Sequence, residues 1–96
     1  MYYYPIFLNL QERRVLVIGS GRLAEEKVGR LLATGARVRV IAPTVSAGLE
    51  ELVAAGEIEY VAREYEEGDL DGAFLIISTV NERATNERIF EEANAR

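Results

Sequence analysis

The segment Arg14–Ala24 constrains the fold of this chain more than any other stretch of its sequence. An apolar run, Val-Leu-Val-Ile, leads directly into Gly-Ser-Gly-Arg-Leu-Ala, after which a helical pattern begins. In such a strand–turn–helix unit, Gly19 permits a tight turn, Gly21 lets the backbone approach a pyrophosphate, and Ala24 lets the helix pack closely on the strand. The start of the helix offers free N–H groups and the positive end of its dipole to an anion. We therefore predict a phosphate-binding turn at residues 19–24.

Length and composition indicate a single small domain with few chemical options. The 96 residues, 49% of them hydrophobic, can build one core, so we treat residues 1–96 as one domain. The sequence has no apolar run of about 20 residues that would span a bilayer and no leader pattern, so we expect no membrane partner. It contains no Cys and no His, which removes thiolate chemistry, the commonest metal ligands and the commonest general base. This composition indicates a cytoplasmic protein.

The charge balance is acidic, with 11 basic and 16 acidic residues and a net charge of −5. Because nucleic acids are bound mainly through their phosphates, this balance argues against a DNA or RNA partner. Several of the acidic side chains lie in the connection at residues 63–72, where their spacing does not fit a calcium-binding loop. We interpret this connection as a solvated surface loop and expect no metal site.

The hydrophobic periodicity predicts the order β-α-β-α-β-β-α. Strands are predicted at residues 13–18, 36–41, 57–61 and 73–78, and helices at residues 22–34, from Thr44 or Ser46 to about 55, and after Asn81. The continuously apolar first and last strands are typical of central strands, whereas Arg37 and Arg39 indicate a partly covered face near a sheet edge. The pattern predicts an α/β, Rossmann-like, doubly wound and mainly parallel sheet with helices on both faces.

Ligands of such sheets bind at the carboxyl ends of the strands. Three connections converge there, at residues 19–23, 42–44 and 79–81. In the first connection, the Ser20 hydroxyl is a candidate phosphate donor, and Arg22 contributes its backbone N–H or its side chain. We expect these three connections to form the rim of one nucleotide-binding crevice.

The end of the second strand lacks a residue that many dinucleotide-binding folds carry. An acid there usually binds the adenine ribose 2′-hydroxyl of NAD, but this chain reads Ile-Ala-Pro-Thr at residues 41–44. The sequence therefore leaves the choice between NAD and NADP open. The hydroxyl of Thr44 is either a ribose contact or a simple helix cap.

Six segments together carry a family resemblance. They are Pro-Ile-Phe-Leu-Asn-Leu (5–10), Arg-Val-Leu-Val-Ile-Gly-Ser-Gly (14–21), Ala24 with Lys27, Gly-Ala-Arg-Val (35–38), Ile-Ala-Pro (41–43) and Gly-Asp-Leu-Asp-Gly-Ala-Phe-Leu-Ile (68–76). In this order they resemble the N-terminal NAD-binding domain of the siroheme synthase family, which comprises precorrin-2 dehydrogenases and sirohydrochlorin ferrochelatases. The resemblance extends from residue 2 to residue 93.

The resemblance implies an activity and a set of contacts. Members of the family oxidise precorrin-2 to sirohydrochlorin with NAD⁺, and many then insert Fe²⁺ to give siroheme. Carried over by position, the family's nucleotide contacts fall on Arg22, Leu23, Pro43 and Thr44, and Thr79 matches a threonine that lines the same crevice. Together with Gly19, Ser20 and Gly21, these residues form the expected cofactor site.

The resemblance also implies that the catalytic part of the enzyme lies elsewhere. The family's acid/base and chelating aspartate follows the next strand, beyond Arg96, as do the dimerisation segment and the region that completes the tetrapyrrole site. We expect these 96 residues to bind the dinucleotide, to contain no catalytic residue and to be inactive alone, within a parent enzyme that is a homodimer. The alternative functions are a non-enzymatic NAD(H)-sensing regulatory module and a scaffold that binds nothing.

Overall fold

The computed structural model describes residues 7–80 and 83–94. The strands are β1 (Arg14–Ile18), β2 (Arg37–Ile41), β3 (Glu59–Val61) and β4 (Leu75–Ser78), and the helices are α1 (Arg22–Ala33), α2 (Ala47–Ala54) and α3 (Arg83–Asn94). The element order is the predicted one, with ends that differ by up to three residues.

The four described strands form one parallel sheet in the order β3-β2-β1-β4. In its register, Val15 of β1 pairs with Val38 of β2 on one side and with Leu75 of β4 on the other. Because all these strands run in the same direction, their carboxyl ends meet at one edge of the sheet, where the connections predicted to bind nucleotide lie.

The two faces of the sheet carry separate hydrophobic clusters. On one face, Val15 and Val17 of β1 pack with buried side chains of α1 and α2. On the other face, Leu16 and Ile18 pack with Ile89 of α3 and with side chains of the connection before β4. The predicted doubly wound α/β architecture with helices on both faces is thus confirmed.

The lateral position of β4 differs from the prediction. Its apolar run suggested a central strand, but β4 lies at one end of the described sheet, and Leu75, Ile76 and Ile77 are only partly buried. An apolar run indicates that both faces of a strand are covered. Which strands lie beside that strand in the sheet depends on the topology of the chain. The run therefore did not determine where β4 would lie.

Strand β2 lies next to the edge strand β3, and one of its faces is partly open, as its arginines indicated. Arg37 is exposed, and Arg39 forms an ion pair of 2.8 Å with Glu59 on β3. The hydrogen bond from Arg39 lowers the pKa of the Glu59 carboxyl below its ordinary value. Cross-strand pairing with β3 thus accommodates a basic side chain beside an apolar strand.

The N-cap residue of helix α2 is Ser46, whose hydroxyl accepts a hydrogen bond of 3.4 Å from the backbone N–H of Leu49. Of the two capping residues that the sequence allowed, Ser46 is therefore the cap, and the interpretation of Thr44 as a cap is wrong. Thr44 is exposed in the connection before α2. The expected cap of α3, Asn81, lies outside the described residues.

Candidate functional site

Backbone hydrogen bonds join the strand ends at the predicted crevice. The N–H of Gly19 donates to the carbonyl oxygen of Ile41 over 2.9 Å, and the N–H of Thr79 donates to that of Ile18, also over 2.9 Å. A third bond of 3.2 Å runs from the N–H of Ala42 to the carbonyl oxygen of Val61. The structure thus brings together the three connections that the sequence placed around one crevice.

The first connection contains two glycines in the left-handed half of conformational space, with φ of 120° at Gly19 and 92° at Gly21. A Cβ atom at Gly19 would overlap the Oγ1 atom of Thr79. At Gly21, by contrast, no atom of the described residues lies within 4 Å of such a Cβ position. Gly19 therefore lets two connections pack together, and Gly21 leaves open space above the turn.

That open space lies at the start of α1, whose N-cap is Gly21. Among the described residues, no side chain caps this helix, so its first-turn N–H groups keep their capacity to bind an anion. Ser20, Arg22 and Leu23 are exposed beside it. The arrangement fits the pyrophosphate of a dinucleotide, because the donors, the dipole and the space occur together.

A cavity of about 130 Å³ adjoins the turn. Its lining includes Ile18, Gly19, Ile41, Ala42 and Pro43 from the ends of β1 and β2, and Glu64, Tyr65, Val80 and Arg88 from the opposite side. Whole-ligand pockets measure roughly 300–1,000 Å³, so this cavity matches one part of a larger ligand. Of the predicted site residues, Gly19 and Pro43 line it directly.

Of the residues opposite β1 and β2, Val80 lies in the predicted connection at residues 79–81, whereas Tyr65 and Arg88 were not predicted. Tyr65 is buried, and the guanidinium of Arg88 lies 5.5 Å from the centre of its ring. A single aromatic residue in an acidic connection was a usable signal for a buried anchor at Tyr65. Arg88 gave no such signal, because its place at the cavity depends on how α3 packs against the sheet.

The connection between β3 and β4 is held by an ion pair, contrary to the expected solvated loop. Two guanidinium nitrogens of Arg63 donate to the two carboxylate oxygens of Asp69 over 2.8 and 2.7 Å, and the N–H of Glu66 donates to Asp69 over 2.7 Å. The hydrogen bond from Arg63 lowers the pKa of Asp69. Asp69 is therefore a structural residue, while the acidic residues Glu64, Glu66, Glu67 and Asp71 are exposed.

Asn86 of α3 fixes the connection that carries Thr79. The Ser78 hydroxyl donates to Oδ1 of Asn86 over 2.6 Å, and Nδ2 of Asn86 donates to the carbonyl oxygen of Val80 over 2.5 Å. The Thr79 hydroxyl donates to the carbonyl oxygen of Ile18 over 3.3 Å. Sequence reasoning did not identify Asn86, because its partners become neighbours only after α3 folds back.

Within residues 7–80 and 83–94, no group of three or more acidic side chains is placed to hold a metal ion. In the same ranges, no helix combines the length and apolar character needed to cross a bilayer.

Comparison with known proteins also indicates a dinucleotide-binding domain. Residues 6–96 match the model of a family described as putative NAD(P)-binding. The chain is 42% identical over its full length to siroheme synthase 1 of Klebsiella pneumoniae and 45% identical to siroheme synthase of Pseudomonas fluorescens, of which it covers 20% and 21%. It thus spans about a fifth of the length of these relatives.

A solved structure agrees with the sequence matches. The fold superimposes on SirC, a precorrin-2 dehydrogenase, with a TM-score of 0.83 and 36% identity, over 88% of this chain and 43% of that one. These findings confirm the family resemblance and a dinucleotide of the NAD(P) type as the cofactor. The chain belongs to the family of putative NAD(P)-binding domains that includes the corresponding segment of siroheme synthases.

Proposed function

We propose that this chain is the dinucleotide-binding domain of an enzyme that oxidises precorrin-2 to sirohydrochlorin with NAD⁺. The observation that carries the proposal is the open glycine turn at the uncapped start of α1, beside the cavity at the strand ends. Identity of 42% and 45% to siroheme synthases across the whole chain supports the assignment of this turn to that enzyme class.

In the proposed site, each connection binds one part of the cofactor. Backbone N–H groups of residues 20–23 bind the pyrophosphate, and Gly19 and Gly21 give it access. Pro43 and Thr44 contact the adenosine half, and Thr79 closes the crevice beside Gly19. When bound, NAD⁺ supplies the hydride acceptor, and the protein contributes position and electrostatics.

The remaining parts of the proposal concern the parent enzyme. The reaction would remove two electrons and two protons from precorrin-2, of which a hydride would pass to the nicotinamide ring held by these connections and one proton would be released. We propose that the tetrapyrrole binds outside these 96 residues and that the isolated chain is inactive. We further propose a cytoplasmic homodimer that also inserts Fe²⁺ into sirohydrochlorin, on the strength of the family resemblance and the cysteine-free composition.

Calorimetric titration of NAD⁺ against the 96-residue chain tests the binding step. We expect saturable binding to the wild type and a loss of at least tenfold in affinity for Gly21→Ala, because the new methyl group enters the space above the turn. The matched control is Gly56→Ala, which also has positive φ, at 74°, and open space among the described residues, but lies away from the site. Absence of wild-type binding at millimolar NAD⁺ would contradict the proposal.

The enzymatic step needs a longer protein that carries this segment. Mixed with precorrin-2 and NAD⁺, it should produce NADH and sirohydrochlorin in equal amounts, and the Gly21→Ala change should raise KM for NAD⁺. Tight NAD⁺ binding without any oxidation of precorrin-2 would instead favour the regulatory NAD(H)-sensing module.

A further inference from the structure

The carboxylate of Glu25, in the first turn of α1, lies at the start of α2. Its Oε2 atom accepts a hydrogen bond of 2.7 Å from the hydroxyl of Ser46, the N-cap residue of that helix. An anionic side chain at a helix N-terminus is favoured by the helix dipole. Glu25 therefore joins the two helices that follow β1 and β2, and it brings a negative charge to the second of the three connections.

Gly48, in the first turn of α2, shows how close this approach is. A Cβ atom at Gly48 would overlap the Glu25 carboxylate. The backbone of Gly48 is helical and does not require glycine, and alanine is the better helix former at such a position. The feature of the structure that calls for glycine here is thus the closeness of Glu25.

The position of this carboxylate matters because β2 ends without an acid. In dinucleotide-binding sheets, an acid at that strand end binds the ribose 2′-hydroxyl of NAD, and the 2′-phosphate of NADP occupies the same region. Ser46 lies five residues after Ile41, the last residue of β2, in the connection that also carries Pro43 and Thr44. Glu25 reaches this connection from α1, the helix that starts at the glycine turn.

No described residue forms an ion pair with Glu25, although the basic side chain of Arg22 lines the same groove. Arg22, Glu26 and Arg30 line the same open groove beside it, and Arg30 forms an ion pair of 3.3 Å with Glu26. The hydroxyl of Ser46 hydrogen-bonds the carboxylate without neutralising it. A second anion placed in this connection would therefore meet a fixed carboxylate.

From these contacts we propose that Glu25 determines cofactor specificity, supplying from α1 the negative charge that the end of β2 lacks. Its carboxylate accepts a hydrogen bond from the uncharged ribose 2′-hydroxyl of NAD⁺. It repels the 2′-phosphate of NADP⁺, which carries up to two negative charges. Discrimination of this kind depends on a repulsive element against the wrong ligand as much as on attraction to the right one. The inference rests on the proposed function, since it concerns the same dinucleotide site.

The test compares dissociation constants for NAD⁺ and NADP⁺, measured by calorimetry on the 96-residue chain. The wild type should prefer NAD⁺. In Glu25→Gln, which keeps the size of the side chain and removes its charge, NADP⁺ affinity should rise by roughly tenfold or more, while NAD⁺ affinity falls by only a few-fold.

Two glycine variants make the test specific to the position of the carboxylate. Gly48→Ala keeps the charge but displaces it, and it should shift the NADP⁺/NAD⁺ ratio in the same direction as Glu25→Gln, by a smaller factor. Gly56→Ala makes the same chemical change after α2, outside the groove beside Glu25, and should leave the ratio unchanged. Thermal unfolding of each variant verifies that it is folded.

The outcomes separate the two proposals. If the wild type binds neither nucleotide, the proposed function fails, and the inference fails with it. If the wild type binds NAD⁺ but Glu25→Gln leaves the NADP⁺/NAD⁺ ratio unchanged, only the inference is overturned. An equal shift of the ratio in Gly56→Ala would also overturn it, because the effect would then not depend on where the carboxylate lies.

Discussion

At the scale of single residues, the two glycines of the turn have different roles. Gly21 is half-buried, but a Cβ placed on it would meet open space among the described residues. Its φ of 92° and ψ of −166° lie in a region that essentially only glycine adopts. At Gly19, an added Cβ would overlap the hydroxyl of Thr79. Substitution of Gly19 therefore also disturbs the connection that carries Thr79. The glycine motif therefore combines one position that leaves open space at the start of α1 with one position that permits close packing.

Gly19→Ala should destabilise the fold by about 2–4 kcal/mol, because it adds left-handed strain to a steric overlap with the Thr79 hydroxyl. Thr79→Ala removes the overlapping oxygen, so the double variant should recover part of this loss. Urea denaturation of the wild type, both single variants and the double variant measures the coupling, expected at about 0.5–3 kcal/mol. If the two changes in the free energy of unfolding are strictly additive, the Thr79 side chain is not the cause of the destabilisation in Gly19→Ala.

The sequence predicted some site residues better than others for a physical reason. Gly19 and Gly21 were identifiable because the turn requires particular backbone conformations from residues close together in sequence. Asn86 and Arg88 act across α3 and β4, and their partners are determined by packing rather than by local pattern. The sequence of α1 does not indicate that Glu25 lies beside Ser46 and Gly48, because these contacts form only when α1 and α2 pack together.

At the scale of elements, the connection between β3 and β4 acts as a structural unit. The Arg63–Asp69 pair holds it at one end, and the N–H of Gly68 donates to a carboxylate oxygen of Glu92 on α3 over 2.7 Å. Within the same connection, Tyr65 and Leu70 are buried in the cluster on the α3 face. The connection thereby carries one wall of the cavity, which includes Glu64 and Tyr65.

Asp69→Asn should destabilise the chain by about 1–2 kcal/mol, because the charge-assisted bonds to Arg63 are weakened. The matched control is Glu66→Gln, since Glu66 also faces Arg63, but at 3.6 Å and with its side chain 68% exposed. An exposed pair of that kind contributes little, so this control should stay within about 0.5 kcal/mol of the wild type. Equal effects in the two variants would argue against a role for the bidentate pair.

The same pair predicts how stability depends on pH. Folding lowers the pKa of Asp69, so the native state favours the charged carboxylate. The stability contributed by Asp69 is fully present above its unfolded pKa of about 3.9 and is lost as the pH falls through the lower native value. Urea denaturation between pH 5 and pH 2.5 should show a smaller loss for Asp69→Asn than for the wild type, and parallel curves would contradict this assignment.

The elements themselves followed closely from local patterns. β1 and α1 were predicted to within one residue at each end, because an apolar run, a glycine turn and an amphipathic helix follow one another directly. The place of β4 at the end of the described sheet was not predictable in this way. Likewise, the expectation of a solvated loop at residues 63–72 was wrong for Asp69. The composition of the loop does not show which of its acidic residues forms an ion pair.

At the scale of the whole molecule, both hydrophobic clusters depend on β1. Its alternate side chains enter opposite faces of the sheet, and its end supports the glycine turn. A domain of this size, whose two core clusters share a strand, should unfold in one cooperative transition. The site, which is assembled from the strand ends and the connections after them, should then be lost together with the core.

Leu16→Ala and Val28→Ala test this cooperativity from the two faces. Leu16 belongs to the cluster under α3, and Val28 to the cluster under α1. Each change should lower the free energy of unfolding, by about 2–5 kcal/mol for Leu16 and less for Val28, whose side chain is smaller. Circular dichroism and tyrosine fluorescence should give coincident urea transitions in both variants, whereas separate transitions would show that the faces unfold independently.

Cofactor binding should stabilise the whole molecule because only the folded chain presents the strand ends as one site. By mass action, NAD⁺ at a hundredfold excess over its dissociation constant adds about 2.7 kcal/mol, which for a domain of this size raises Tm by roughly 10–20 °C. Calorimetric scans should show Tm rising with the logarithm of the NAD⁺ concentration in the wild type and in Gly56→Ala. Gly21→Ala should show a clearly smaller rise at the same concentrations, about half that of the wild type for a tenfold loss of affinity. A full rise in that variant would mean that the stabilising nucleotide binds away from the glycine turn.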